Sequence, residues 1–138
     1  MVTKGRLLFN VHVVSGLQSA EMVHWGTVKT GLLGLSHGLA ESVAGTGVTA
    51  NAIVPGPTHT EESFTARHPD SGKTFKQIER DLFEGPLSTS ALGRFIHPNE
   101  VANLVVFLAS NHASAITGAV LRVDVASSAP CSEGFQRH

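Results

Sequence analysis

The sequence predicts an α/β fold in which three parallel strands form one sheet with helices packed against it. Two observations carry this. Short apolar runs bounded by glycine or proline alternate with longer stretches whose apolar residues recur at helical spacing. Their order is strand, helix, strand, helix, strand, a βαβαβ arrangement that implies right-handed crossovers between parallel neighbours. The length of 138 residues suits one domain with a real core.

The first strand is Arg6 to Val14 (RLLFNVHVV), mostly apolar, rich in branched residues and bounded by Gly5 and Ser15-Gly16. Residues 15–24 read as a loop. A helix follows from Trp25 to about Ala44, with Leu32, Leu35, Leu39 and Val43 as its apolar stripe. Gly31, Gly34 and Gly38 form a second stripe. Each glycine costs a helix interior about 1 kcal/mol against alanine, so three of them predict close backbone packing, either inside the fold or at a subunit contact. Gly45 and Gly47 end the helix.

Val48 to Val54 is the second strand, stopped by Pro55-Gly56-Pro57. Residues 55–98 hold all but one of the six prolines and are the least regular part. Within them, Thr74 to Phe83 predicts a short helix with Phe75, Ile78, Leu82 and Phe83 facing inward. Pro98 precedes another helix, about Asn99 to Ser110, with the stripe Val101, Leu104, Val105 and Leu108. Ile116-Thr117-Gly118 is a turn, and Ala119 to Val125 is the third strand. Residues 1–125 thus form the folded part, and 126–138 read as a polar, loose tail.

Composition narrows the function. Apolar residues make up 41% and charged residues 15%, which favours a globular chain over a disordered one. A net charge of -1 points to no nucleic-acid or membrane-surface partner. Met1 to Phe9 lacks a long apolar run, so neither a signal peptide nor a membrane span is expected, and the default location is cytoplasmic. The single Cys131 excludes an internal disulfide. The eight histidines are scattered, without the spacing of a metal site, so no metal is expected.

Trp25-Gly26-Thr27-Val28-Lys29 carries the strongest chemical signal. On a helix, positions four apart share a face. A lysine ammonium one turn from a tyrosine would favour the phenolate and lower the phenol's pKa. Here the aromatic residue is Trp25, and the chain contains no tyrosine. An indole N–H donates a hydrogen bond but does not titrate usefully, so it cannot serve as general acid or base.

From Gly5 to Asp124 the chain resembles the C-terminal half of a short-chain dehydrogenase/reductase. The resemblance rests on several segments in order: Gly5 to Phe9, Lys29-Thr30-Gly31 through Glu41, Gly47 to Thr60 (GVTANAIVPGPTHT), Glu100 to Ser110, and Ile116 to Asp124. It implies a partial Rossmann-type fold and an oxidoreductase using NAD or NADP on a small carbonyl or alcohol. It implies that Lys29 holds the nicotinamide ribose. It also implies that Pro55, Gly56, Thr58 and Thr60 form a cofactor loop, offering backbone N–H groups to the carboxamide near Thr58 and the Thr60 hydroxyl to a phosphate. Residues 61–84 would be a substrate lid, with Phe64, Phe75 and Phe83 read as local core.

Departures from the family pattern are specific. No Gly-rich turn of the pyrophosphate-binding kind is present. Trp25 stands where the resemblance places the tyrosine, and His12 where it places the serine, although a local deletion would bring Ser15 there instead. Of the catalytic set only Lys29 is clearly retained. Each residue also has a plainer reading: Lys29 as a solvated helix lysine, Trp25 as packing, His12 and His24 as bystanders, and residues 55–60 as a strand-ending turn.

Two functions follow as expectations. One is an oxidoreductase family member that, as this chain, is inactive alone. The other is a non-catalytic pseudoenzyme or fragment acting through binding or self-association. Expected partners are a second copy or a complementary N-terminal half.

Overall fold

A computed structural model describes residues 5–11, 23–60, 72–85, 87–88 and 90–123. His12, Ser15, Phe64, residues 61–71 and the tail beyond Val123 lie outside these, as does the end of the expected first strand. The elements are β1 (Arg6–Asn10), α1 (Val23–Ser42), β2 (Thr49–Pro55), α2 (Phe75–Glu84), α3 (Pro98–Ala109), a short 3-10 turn (Asn111–Ala113) and β3 (Val120–Val123). The fold is α/β: three parallel strands in the order β1-β2-β3, with flanking helices.

Contacts divide the chain into two compact units. The first holds the sheet, α1 and all of α3 from Asn99 onward. Its central strand β2 is buried at every position, as a strand paired on both sides and covered on both faces must be. In register, Arg6 pairs with Thr49 and Asn10 with Ile53, while Ala52 pairs with Val120 and Pro55 with Val123. Alternate side chains of β2 go to opposite faces. On one face Ala52 and Val54 join Val11, Phe9, Leu32 and Leu33, which seats α1. On the other, Ile53 joins Leu8 and Leu121 beneath Leu108, Val101, Leu104 and Val105, which seats α3 with the stripe expected from its sequence.

Asn51 is fully buried on the α3 face. Its amide Nδ2 donates to the Ile116 carbonyl (2.9 Å), and its Oδ1 accepts from the Ala119 N–H (3.1 Å). One side chain thereby satisfies a donor and an acceptor of the segment entering β3. This is how a polar residue sits in the middle of a core strand at no loss of hydrogen bonding.

One expectation about α1 is corrected and another is narrowed. Leu35 was placed on the buried stripe, yet it is 49% exposed. The face against the sheet contains buried Ser36 and Ala40 together with Leu32 and Leu33. Ala50 and Ala52 of β2 are small, so the helix sits close to the strand, and small helix residues fit there better than another leucine. Of the two kinds of close packing expected for the glycine stripe, the one inside the fold is not seen among the described residues. A Cβ at Gly31, Gly34 or Gly38 meets nothing within 4 Å among the described residues. Helix α1 ends before Gly45 and Gly47, whose φ values of +77° and +80° suit glycine.

The second unit comprises the described residues of Pro57–Pro98. Thr74 caps α2 in a capping box: its hydroxyl accepts from the Gln77 N–H, and the Gln77 side chain accepts from the Thr74 N–H. Ile78 is buried, and Phe75, Leu82 and Phe83 are partly buried, on the face expected from sequence. Phe95 completes an aromatic cluster, its ring 5.6 Å from Phe75 and 5.3 Å from Phe83. Lys73 pairs with Asp81 at the surface.

Candidate functional site

Helix α1 runs back along the sheet from the carboxyl ends of β1 and β2. Its Leu32 and Leu33 pack with Val11 and Val54, near those ends, and its later residues His37 and Ala40 approach Gly118 at the opposite end. Trp25 and Lys29, earlier still in α1, therefore belong to the carboxyl edge of the sheet. Ligands of open parallel α/β sheets bind at that edge.

The expected i, i+4 relation holds. The Lys29 ammonium lies over the Trp25 ring, 5.0 Å from its centroid. Trp25 is 42% exposed, and Lys29 covers part of its ring face. A cation over indole is attracted by the ring quadrupole, and the pair forms because one helical turn brings the two side chains together. Lys29 is itself half-buried, so it is neither a fully solvated lysine nor a core one. Trp25 supplies an apolar surface and one N–H donor here, and no group that exchanges a proton near neutrality.

The turn after β2 is built as its prolines and glycine dictate, but its donors are largely used. The Gly56 N–H donates to the Val123 carbonyl (2.8 Å), extending the β2–β3 ladder. In the second unit the His59 N–H donates to the Ile96 carbonyl and the Ile96 N–H to the Pro57 carbonyl, both at 2.9 Å, forming the parallel bridge between Thr58 and Ile96. The Gly56 and His59 N–H groups are thus committed to bonds within the protein. Thr58 and Thr60 are likewise engaged in interactions.

His59, taken from sequence only as part of a turn, has a ring centroid 4.2 Å from that of Phe75, with the planes tilted by 51°. This contact ties the segment after the turn to the first residue of α2. An aromatic-type ring inside the proline turn and a phenylalanine opening the next helix are its only trace in the sequence. His12, proposed at the serine position, lies outside the described residues. His24 is exposed. Among the described residues no three His, Cys, Asp or Glu side chains form a group able to hold a metal. No helix there is long and apolar enough to cross a membrane.

A hollow of about 430 Å³ borders Val23, Gly26, Thr27, Thr30 and Gly31 on α1. Among the described residues, neither Lys29 nor any other titratable side chain lines it.

Comparison with known proteins places this geometry. Residues 1–125 match the family described as Enoyl-(Acyl carrier protein) reductase. An uncharacterized oxidoreductase of Bacillus subtilis, YvaG, is 38% identical over 124 residues, covering 88% of this chain and 47% of that protein. Among solved structures, the ligand-free aldohexose dehydrogenase of Thermoplasma acidophilum superposes with a TM-score of 0.77 at 26% identity, covering 98% of this chain and 52% of that one. An actinorhodin polyketide ketoreductase variant with NADPH gives 0.69 at 26% identity, over 88% of this chain and 46% of that one. The chain spans about half the length of the relatives it matches.

Proposed function

The chain belongs to the short-chain dehydrogenase/reductase family, and from that premise we propose that it carries the nicotinamide side of an NAD- or NADP-dependent oxidoreductase for small carbonyls or alcohols while being catalytically silent on its own. The observation that carries this reading is the Trp25–Lys29 pair. Lys29 has the position and charge to hold ribose hydroxyls. Trp25, read at the tyrosine position, offers the nicotinamide a flat surface but no proton. When bound, the dinucleotide would supply hydride chemistry. The residues of the first unit that would meet its nicotinamide end are Lys29, Pro55 and Gly56. NADPH in the actinorhodin ketoreductase variant supports the cofactor class.

Affinity of this chain for the dinucleotide is weak in this reading. The sequence contains no Gly-rich turn of the kind that seats a pyrophosphate at a helix N-terminus. The Gly56 and His59 N–H groups are already bonded within the protein. General acid–base catalysis is typically worth about 10²–10⁴-fold, and positioning of the cofactor adds to it, so loss of both leaves no measurable turnover.

A second reading, action through binding or self-association, is favoured by the edge of the sheet. Among the described residues β1 pairs only with β2, and Leu7 on it is 39% exposed. A complementary N-terminal half or a second copy would cover that edge.

The test is an assay of NADH and NADPH oxidation by the purified chain with a panel of aldehydes and ketones, alongside titration calorimetry. The expected results are rates equal to a denatured control and no micromolar dinucleotide binding. Turnover that Lys29→Ala abolishes would overturn the silent-enzyme reading, and micromolar affinity would overturn the weak-binding one.

A further inference from the structure

Main-chain polar groups alternate in direction along β1. The Gly5 carbonyl accepts from the Thr49 N–H (3.2 Å), and the Val11 N–H donates to the Ile53 carbonyl (2.8 Å). These bonds flank the strand and fix its phase: Leu7 and Phe9 also turn their N–H and C=O toward β2. Arg6, Leu8 and Asn10 turn theirs the other way. Among the described residues β1 has no neighbour strand on that side. Nothing in the sequence blunts this edge, because Leu7-Leu8-Phe9 between Arg6 and Asn10 contains no proline and no charge. Leu8 packs with the α3 cluster and Phe9 with the α1 cluster. Both faces of the strand are therefore seated, while its outer main-chain groups still call for partners.

We infer that this edge pairs with the same edge of a second copy of the chain, antiparallel, about a two-fold axis at Leu8. Arg6 and Asn10 stand equally far on either side of Leu8, so the edge is complementary to itself. With Leu8 opposite Leu8, the two leucines exchange both main-chain bonds, and Arg6 of each copy does the same with Asn10 of the other. Every outward donor then meets an outward acceptor. Sliding the pair by two residues would leave Arg6 or Asn10 without a partner inside the strand. The same register decides the side chains. Leu7, 39% exposed, lies opposite Phe9 of the second copy in the closer, non-hydrogen-bonded kind of pair, and is covered by it. Arg6 faces an amide and not the other Arg6, so no like charges meet. The product is one continuous sheet through two copies. This contact rests on the self-association reading above and names the strand and register that carry it.

The experiment uses the whole 138-residue chain. Sedimentation and amide-resolved hydrogen exchange are measured on dilute and on concentrated protein. The expected result is a dimer whose formation protects the Leu8 and Asn10 amides, while the Phe9 amide, turned toward β2, is protected at both concentrations. Asn10 is exposed, so its variants should fold, with melting curves recorded beside the parent's. Asn10→Asp sets a carboxylate opposite Arg6 of the other copy and should tighten the dimer about fivefold; Asn10→Lys sets like charges there and should weaken it about fivefold. Asn10→Pro removes an outward N–H that β2 does not use and should abolish dimerisation. A dimer indifferent to all three variants, or one that leaves the Leu8 and Asn10 amides unprotected, would overturn the edge contact while self-association itself stands. A monomer at every concentration would overturn both.

Discussion

Lys29 and Trp25 meet across one turn of α1, with the ammonium 5.0 Å from the centre of the only indole in the chain. Because there is a single tryptophan, its emission reports directly on this contact. Lys29→Met keeps an unbranched stem and removes the charge. It should cost no more than about 1 kcal/mol, the scale of an exposed cation–π pair, and should change the intensity of Trp25 fluorescence. Fluorescence of parent and variant before and after denaturation checks this; an identical native emission would mean that the contact is not populated.

Restoring the phenol tests the proton-transfer argument separately. Trp25→Tyr recreates the Tyr-x-x-x-Lys spacing on a helix whose geometry already supports it. It should still give no turnover, since a proton donor without a seated dinucleotide has nothing to act on. Nicotinamide-linked turnover by this single variant, lost again on adding Lys29→Ala, would contradict that expectation.

The buried amide of Asn51 makes the sharpest stability prediction. Asn51→Leu leaves the Ile116 carbonyl and the Ala119 N–H without their partner, and should destabilise by roughly 2–4 kcal/mol. Asn51→Asp behaves differently with pH. A carboxylate still accepts from Ala119 but opposes the Ile116 carbonyl, whereas the neutral acid can donate to it. Burial therefore raises the carboxyl's folded pKa above its unfolded value of about 3.9. Stability is retained below that value and lost as pH rises through the folded one. Melting curves should show the Asp variant closest to the parent at about pH 4 and progressively weaker toward neutrality.

In the second unit, the capping box of α2 is open to a simple test. Thr74→Ala removes the hydroxyl acceptor for the Gln77 N–H and should cost about 1 kcal/mol. Hydrogen exchange should speed up first in Phe75–Glu84. His59→Ala, which removes the ring against Phe75, should accelerate exchange in the same helix without touching its cap. Unchanged protection in His59→Ala would show that the ring contact contributes nothing.

Exposed apolar residues at the sheet predict association. Leu7 on β1 is 39% exposed and Val120 on β3 is 50% exposed. The chain should self-associate or depend on a partner, and Leu7→Lys should shift it toward monomer, because a charge on an edge strand opposes pairing. Light scattering across concentrations checks both statements. A monodisperse parent that melts cooperatively as a monomer would rule out association through this edge.

How much of this was legible in the sequence depends on whether burial or side-chain reach decided the outcome. The β2 strand and the α3 stripe are plain because long apolar runs with the right period have one stable burial. The α1 stripe misled. Leu35 and Ser36 are neighbours, and hydrophobicity alone favours burying the leucine; the small Ala50 and Ala52 opposite reverse that choice, and they lie far along the chain. The Trp25–Lys29 spacing was legible, but the exposure of the indole was not, since tryptophan is usually covered. The use of the Gly56 and His59 N–H groups was hidden as well, because their acceptors Val123 and Ile96 are distant in sequence.

The placement of β2 between two distant partners governs when the chain can fold. Its bond to the Ala119 N–H reaches across 68 residues, and its other neighbour, β1, belongs to the opposite end of the first unit. Closing such loops costs entropy before any contact repays it, so folding should be slow for a chain of this size. During synthesis the most buried strand is made well before β3, the neighbour that completes its pairing. A ribosome-bound intermediate that lacks β3 exposes one edge of β2 and the seat of α3, and that interval is when the nascent chain most needs a chaperone.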